Sequence, residues 1–323
     1  MLVKTLKTNK PAAFISFFIL GITFFVLDFL VSPELTLSTN HPIFSSVAKV
    51  VIANPWMAYT LIFVVTLLMS MGWNNLLTDR GVFKNVTILP AFTLVLLNSV
   101  FSFSSLWICY FLMLFVLNKL MSTYQKNKPY ALLYDSGFLI GLSCLVYPLS
   151  ILFFLLIYVS NAIYISLNWR IFLVPVLGLL TPFLFAYTYA YYFDFTPQLT
   201  QYFLSSFKLH LPSFSWSIDL IIWASIIGIL FLLSFKEMLE WLVRKNLRSR
   251  KAFYLLFAYS VCVFIGIFFS QYVWNHLLFF GLPLSVILAN YFMYLEKKWW
   301  YEGAYILLIL STLYVHAAPF FRL

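Results

Sequence analysis

The chain has 323 residues, of which 63% are hydrophobic and only 9% are charged, and its net charge is +10. Soluble globular domains carry about 25% charged residues, so this composition excludes a soluble enzyme and predicts an integral membrane protein. No polar stretch is long enough to build a separate soluble core, which predicts one transmembrane domain over residues 1–323.

Apolar segments recur along the whole chain. A hydrocarbon core of about 30 Å needs about 20 helical residues, and we count about eleven segments, with a range of ten to twelve because several are short. They are Pro11–Val31, Trp56–Trp73, Ile88–Phe101, Ser105–Leu120, two segments of a hairpin between Asp135 and Asn168, Ile171–Tyr192, Trp216–Phe235, Ala252–Ser270, Trp274–Leu295 and Gly303–Val315. The expected fold is an all-α polytopic transmembrane bundle. The first segment can span and lacks a small-residue cleavage site, so no cleavable signal peptide is predicted.

The stretch from Asp135 to Phe185 organises the expected bundle. Gly137 and Gly141 are four residues apart, a spacing that lets two transmembrane helices approach closely. Tyr147-Pro148 interrupts the apolar run, and Asn168-Trp169-Arg170 ends it with an interfacial aromatic ring and a charge. The stretch predicts a tight helical hairpin, a short cytoplasmic corner and a third helix, with the other helices around them.

Two connecting segments are amphipathic. Apolar residues recur at helical spacing in Ile43–Val51, and Leu199, Phe203 and Phe207 share one face of a second helix. Each pattern is typical of a helix that lies in the membrane surface.

Lysine and arginine placement gives the orientation, because cytoplasmic loops carry the excess of these residues. With the N-terminus cytoplasmic and alternating spans, seventeen of the 20 lie on the cytoplasmic side: Lys4, Lys7, Lys10, Arg80, Lys84, Lys119, Lys126, Lys128, Arg170, Lys236, Arg244, Lys245, Arg248, Arg250, Lys251, Lys297 and Lys298. The other side holds Lys49, Lys208 and Arg322. The net positive charge is therefore an orientation signal, and no nucleic-acid partner is predicted. The cluster Lys236–Lys251 also suits anionic lipid headgroups, although orientation alone explains it.

The scarce titratable side chains gather on the non-cytoplasmic side, which makes that face the candidate site. All four histidines fall there: His41, His210, His276 and His316. Four of the ten acids join them: Asp28, Glu34, Asp194 and Asp219. Each has a structural alternative: an acid near a span end can simply reach water, and an interfacial histidine is usually structural.

Several kinds of chemistry have no sequence support. The chain contains no HExxH, paired-cysteine, Walker or GxSxG motif, so neither a metal site nor a cofactor is predicted. Cys109, Cys144 and Cys262 fall inside apolar runs and are expected to be packing residues.

Two resemblances follow from the central stretch. Asp135-Ser-Gly-Phe-Leu-Ile-Gly-Leu, Asn168-Trp169-Arg170 and Gly178-Leu-Leu-Thr-Pro182, with Lys10-Pro11 and the polar run from Asn74-Asn75 to Asp79 and Asn85, resemble an uncharacterised polytopic inner-membrane family of Bacteroidota. This resemblance implies a multi-pass envelope protein of the bacterial inner (cytoplasmic) membrane.

The glycine-containing hairpin, its basic corner and the helix after it are also similar to the middle of GT-C glycosyltransferases, multi-span enzymes that use polyprenyl-phosphate sugars. The resemblance places Asp28 and Glu34 where that superfamily carries an acid near the end of its first span. It implies Asp28 or Glu34 as the general base, assisted by His276. Lys49 or Lys208 would meet the phosphate, and Asp194 and Asp219 would contact the substrate.

Three function classes remain open. The first is a lipid-linked-sugar glycosyltransferase of cell-envelope biogenesis, or an inactive relative. The second is a non-catalytic membrane subunit that binds another membrane protein, which the aromatic content of 21% favours. A transporter has less support, because no inverted repeat is evident.

Overall fold

The computed structural model describes residues 3, 6–7, 11–31, 45–83, 87–164, 168–208, 217–243, 245–294 and 298–321. Throughout these ranges the secondary structure is helical, without a β-strand, as the sequence predicted. The α-helices are α1 (Pro11–Val31), α2 (Ser45–Ala53), α3 (Pro55–Asp79), α4 (Leu89–Asn98), α5 (Leu106–Met121), α6 (Tyr130–Val146), α7 (Leu155–Tyr164), α8 (Trp169–Tyr192), α9 (Thr196–Ser206), α10 (Ile218–Val243), α11 (Leu247–Ile267), α12 (Val273–His276), α13 (Gly281–Tyr294) and α14 (Lys298–Phe321). The 3₁₀ helices Pro148–Phe154 and Leu277–Phe280 precede α7 and α13.

Five helical segments of the described chain are long and apolar enough to cross a membrane. They are Pro55–Asp79, Trp169–Tyr192, Ile218–Glu240, Leu247–Ile267 and Val273–Tyr294. Among the shorter apolar helices, the ten residues of α4 extend only about 15 Å at 1.5 Å per residue. The expectation of a helical membrane protein is thus confirmed at this level.

The centre of the bundle is built from α4 and α13. Every residue of α4 is buried, and α13 packs along it. The indole nitrogen of Trp73 on α3 donates a hydrogen bond of 3.0 Å to the hydroxyl oxygen of Ser285 on α13. A Cβ added at Gly281 would overlap the hydroxyl of Tyr110, so the glycine at the start of α13 allows α5 to approach.

The glycine seam lies between α6 and α8, which form the most extensive helix contact in the described chain. A Cβ at Gly137 would overlap the carbonyl oxygen of Pro175, and one at Gly178 would overlap that of Tyr134. Gly141 faces Leu179 in the same way. The predicted close approach is confirmed, but it joins the first and third helices of the central stretch, whereas the sequence predicted a tight hairpin of the first and second.

One end of the bundle, here called the basic face, is tied together by contacts between helix ends. Its contacts are Lys7 Nζ over the Tyr301 ring at 4.1 Å, Lys119 Nζ to Asp135 Oδ2 at 2.7 Å, Lys245 Nζ to the Tyr294 hydroxyl at 3.1 Å and Arg248 Nη2 to the Asp79 carbonyl at 3.3 Å. The Thr87 hydroxyl also donates to the Leu6 carbonyl at 2.9 Å, just before α4 begins. All of these groups lie in segments predicted to be cytoplasmic or at the span ends next to them.

The other end, here called the histidine face, carries His276 and His316. Its ties are aromatic: Phe101, which follows α4, stacks on Trp274 at 4.9 Å and meets Trp223 edge-on at 6.3 Å. Phe24 of α1 contacts the His316 ring of α14 at 4.9 Å. These residues belong to the ends of segments predicted to face away from the cytoplasm.

Both amphipathic segments contain a helix, as predicted. In α2, Ala48 and Val51 are buried and Lys49 is exposed. In α9, Leu199 is buried against α8, and Phe203 packs on Phe183. The three cysteines are buried and free, which confirms them as packing residues.

Candidate functional site

His276 lies at the centre of a hydrogen-bonded cluster on the histidine face. Its Nε2 is 3.0 Å from the carbonyl oxygen of Val263, and its Nδ1 is 2.9 Å from the hydroxyl of Tyr147. A carbonyl only accepts, so Nε2 carries a proton and donates to the Val263 carbonyl, while Nδ1 and the Tyr147 hydroxyl share the second hydrogen bond. The hydroxyl of Ser270 lies 3.2 Å from that of Tyr147. The cluster joins α11, α12 and the residue that follows α6.

Local sequence explains this cluster. Pro148 disfavours a helical conformation at the preceding residue, and Tyr147 is extended, with φ −138° and ψ 99°. The helix therefore stops, and the Tyr147 ring turns toward His276. On α11, a Cβ at Gly266 would overlap the imidazole, so only glycine leaves room for the ring. Sequence reasoning singled out the break at Tyr147-Pro148 but not the partner of Tyr147.

An apolar cavity of about 340 Å³, here called the membrane groove, runs between α10 and the helices α11 and α13. From α10 it is lined by residues between Trp223 and Met238, a length of about 22 Å along the helix axis. Gly228 is in its wall, and a Cβ added there meets nothing within 4 Å. Phe101 and Trp274 line the end of the groove that lies at the histidine face.

A smaller cavity of about 120 Å³, here called the His316 cavity, lies on the other side of Phe101. His316, Tyr59, Ser99 and Ser102 line it, so it is more polar than the membrane groove. Phe101 lines both cavities, so both reach the histidine face. His316 was noticed in the sequence, but nothing in its spacing indicated a cavity.

The structure separates the predicted site residues into three groups. The side chain of Asp28 and all of Glu34 lie outside the described residues, as do His41 and His210. Lys49, Asp194 and Lys208 are exposed, and Asp194 lies in the turn after α8 with φ 56°. Asp219 is 6% exposed in the first turn of α10, one turn before Trp223 and thus on the helix face that lines the groove.

The groups that surround His276 in the structure are uncharged. Tyr147, Ser270, the Val263 carbonyl and the Phe279 ring surround it, and it is 1% exposed. Both ring nitrogens are engaged, so His276 contacts no substrate in this conformation, and its surroundings are those of a packed structural histidine. The catalytic role stays a prediction. Within the described residues, no three His, Cys, Asp or Glu side chains form a group that could hold a metal ion.

Comparison with known proteins places the chain in a family. Residues 1–321 match the family of unknown function DUF6427. The chain belongs to DUF6427. No curated protein and no solved structure matches it.

Membership of DUF6427 bears on the two sequence resemblances differently. The match covers nearly the whole chain, so the predicted relation to an uncharacterised family is confirmed. The bacterial group and the GT-C likeness remain predictions, and DUF6427 carries no activity that could be transferred to this chain. Its function must therefore be argued from the two cavities and the two faces.

Proposed function

We propose that the chain crosses the bacterial inner membrane about eleven times as a single domain, with its N-terminus in the cytoplasm. The contacts of the basic face support this topology, because they join the ends of α3, α5, α11, α13 and α14 that alternating crossings would place on one side. The shorter segments then sit inside the bundle, where α4 is shielded from lipid by its neighbours.

We further propose that the protein binds the hydrocarbon chain of a lipid in the membrane groove. The observation that carries this proposal is the groove itself, which is almost entirely apolar and follows α10 for about 22 Å. Empty apolar space of this size forfeits dispersion contacts on every wall, so a chain drawn from the bilayer is its natural occupant. The lipid headgroup would lie at the histidine face, beside Asp219 and the His316 cavity.

In this proposal the protein acts in cell-envelope biogenesis with a GT-C-like architecture, on a polyprenyl-phosphate-linked sugar at the non-cytoplasmic face. Asp28 or Glu34 would be the general base. Lys49 or Lys208, both exposed, would meet the phosphate, and Asp194 and Asp219 would contact the sugar. His276 would assist by fixing the positions of α11 and α12 on this face. If the protein is an inactive relative of these enzymes, it would bind the lipid in the groove but would not transfer the sugar.

Filling the groove is expected to expel the lipid. In Gly228→Trp, the new side chain projects into open space, so the retained polyprenyl phosphate is expected to fall about tenfold, the change that about 1.4 kcal/mol produces. Gly303→Trp is the matched control, because Gly303 is also helical with nothing within 4 Å and lies outside the groove. The measurement is mass spectrometry of lipid bound to purified protein after incubation with polyprenyl phosphate.

Equal retention by the two tryptophan variants would contradict lipid binding in the groove. Retention of phosphatidylglycerol instead of polyprenyl phosphate, lost only in Gly228→Trp, would keep the groove as a lipid site and remove the polyprenyl substrate.

A second candidate function, a non-catalytic subunit of an envelope complex, is favoured by the surface at the end of α8. Tyr191 and Tyr192 are 80% and 79% exposed there, next to Tyr189 and Phe193. Exposed aromatic side chains of this density suit either the membrane interface or a protein partner.

The partner hypothesis predicts that a stoichiometric membrane protein co-purifies in mild detergent and is lost in the double variant Tyr191→Ser and Tyr192→Ser. Substitution of Trp299, which is 87% exposed at the start of α14, is the control and should leave the complex intact. The absence of any stoichiometric partner from gently solubilised membranes would count against this function.

A further inference from the structure

Arg80 holds an unusual position on the basic face, directly after α3. Its Nη2 donates to Asn118 Oδ1 at 2.8 Å and to Ser122 Oγ at 2.5 Å, which fixes the guanidinium plane against the end of α5. Its Nε is buried and has no hydrogen-bond partner within the described part of the chain. Leaving a buried donor such as this Nε–H unpaired costs about 1–3 kcal/mol. The Arg80 guanidinium therefore lacks one hydrogen-bond acceptor that a ligand could supply.

The start of α11 is fastened beside Arg80. Arg248 donates from Nη2 to the Asp79 carbonyl at 3.3 Å, and Ser249 donates to the Gly81 carbonyl at 2.6 Å. These two hydrogen bonds join α11 to the residues before and after Arg80. They bring the Arg248 guanidinium close to that of Arg80. Within the described residues, the side chain of the N-cap residue Asn246 makes no capping hydrogen bond to the first turn of α11.

Two tyrosines and a lysine complete the cluster. Tyr164, at the end of α7, lies near both Arg80 and Arg248. Tyr124 meets the Tyr164 ring edge-on at 5.8 Å, and Lys251 lies 5.5 Å from the Tyr124 ring. Lys251 follows Arg248 by three residues and so lies on the same face of α11.

The electrostatic balance of this cluster is positive. Partial burial, followed by the neighbouring charge of Arg248, lowers the pKa of Arg80, while Asp79 and Tyr164 act in the opposite direction. Arg80 remains protonated at neutral pH, and in the described part of the chain the cations Arg80, Arg248 and Lys251 gather around one acidic residue of the cluster, Asp79. Bringing like charges together is unfavourable, and a bound anion would relieve the repulsion.

We propose that Arg80, Arg248 and Lys251, with the hydroxyls of Tyr164 and Tyr124, bind a phosphate group at the cytoplasmic boundary of the membrane. A guanidinium group can donate two parallel hydrogen bonds to phosphate oxygens. The exposed side chain of Arg248 can rotate to contact a phosphate that is bound at Arg80. The cluster lies where the candidate span α3 ends and the candidate span α11 begins. In this topology that place is at the depth of the lipid headgroups. The expected ligand is the phosphate of an anionic membrane lipid. This site is independent of the membrane groove.

Thermal unfolding of the full-length protein in detergent tests the proposal at constant ionic strength. The probes are short-chain phosphatidylglycerol, short-chain phosphatidylcholine and inorganic phosphate. We expect phosphatidylglycerol to raise the unfolding midpoint saturably and phosphatidylcholine to have at least about tenfold weaker effect. A saturable shift with inorganic phosphate alone would assign the site to a soluble phosphate rather than a lipid.

Variants separate this site from a general surface-charge effect. Arg248→Gln and Lys251→Gln are each expected to raise the half-saturating phosphatidylglycerol concentration about tenfold, and Arg248→Lys by less, because it keeps the charge without the fork. Lys126→Gln removes one exposed charge from the same face outside the cluster and should titrate like wild type. Unchanged titrations in both cluster variants, or an equal loss in Lys126→Gln, would overturn the proposal. These readouts do not depend on the groove, so Gly228→Trp can fail while they succeed.

Discussion

Gly178→Ala is expected to lower the free energy of unfolding by about 3 kcal/mol, one of the largest effects of any single methyl group in this protein. The added Cβ would overlap the Tyr134 carbonyl oxygen and crowd the Phe138 amide. Both are backbone atoms of α6, so no flexible side chain can move aside. The whole seam between α6 and α8 must open, at the cost of the contacts that hold the central stretch together.

The measurement is the unfolding midpoint of purified protein in detergent. Gly137→Ala should behave in the same way, because its Cβ would overlap the Pro175 carbonyl across the same seam. Gly303→Ala is the matched control: it has open space and should gain up to about 1 kcal/mol from helix propensity. If all three alanine variants unfolded at the same temperature, the seam would not be the close backbone contact described above.

His276→Ala is expected to destabilise the protein by about 3 kcal/mol. The substitution removes the imidazole partner of the Val263 carbonyl and one of the two side-chain partners of the Tyr147 hydroxyl, and it opens a cavity beside Phe279. Gly266→Ala should cause a similar loss by pushing the imidazole out of place, although it removes no hydrogen-bonding group. Tyr147→Phe, which deletes one hydroxyl, should cost less, about 1 kcal/mol.

These three variants distinguish a structural histidine from a catalytic one. A structural role predicts that His276→Ala and Gly266→Ala have the lowest unfolding midpoints. The midpoint of Tyr147→Phe should lie between theirs and that of the wild type. A purely catalytic role predicts wild-type stability for His276→Ala, with the loss confined to sugar transfer. Wild-type stability in both His276→Ala and Gly266→Ala would remove the structural explanation.

Much of the fold could be predicted because its signals are local. Apolar runs predicted helices, and the amphipathic stretches at 43–51 and 199–207 correspond to α2 and α9. Gly137 and Gly141 indicated close helix packing, because glycine spacing constrains a helix face whatever its partner. The predicted basic face rests on the excess of lysine and arginine in cytoplasmic loops, a signal that each loop carries in its own sequence.

The candidate site could be predicted only in part. The sequence predicted that the histidines share one membrane boundary; in the structure His316 lines a cavity beside Phe101, and His276 is bonded to Tyr147 and Val263. It could not reveal that His276 is sealed between Tyr147 and Val263, since the three lie more than a hundred residues apart or on different helices. Nor could it show the membrane groove, which is formed between α10, α11 and α13 by residues far apart in the chain.

By itself the sequence determined that this is a helical membrane protein with a basic and a histidine-bearing face. Those properties follow from the transfer of each segment between water and hydrocarbon, which depends on that segment alone. Only the tertiary structure decided that Gly178 of α8 is the partner of the α6 glycines, and that Arg80 and Arg248 meet. Which helices become neighbours depends on the complementary shapes of surfaces that are far apart in the chain. A local pattern of residues therefore cannot predict which helices pack together.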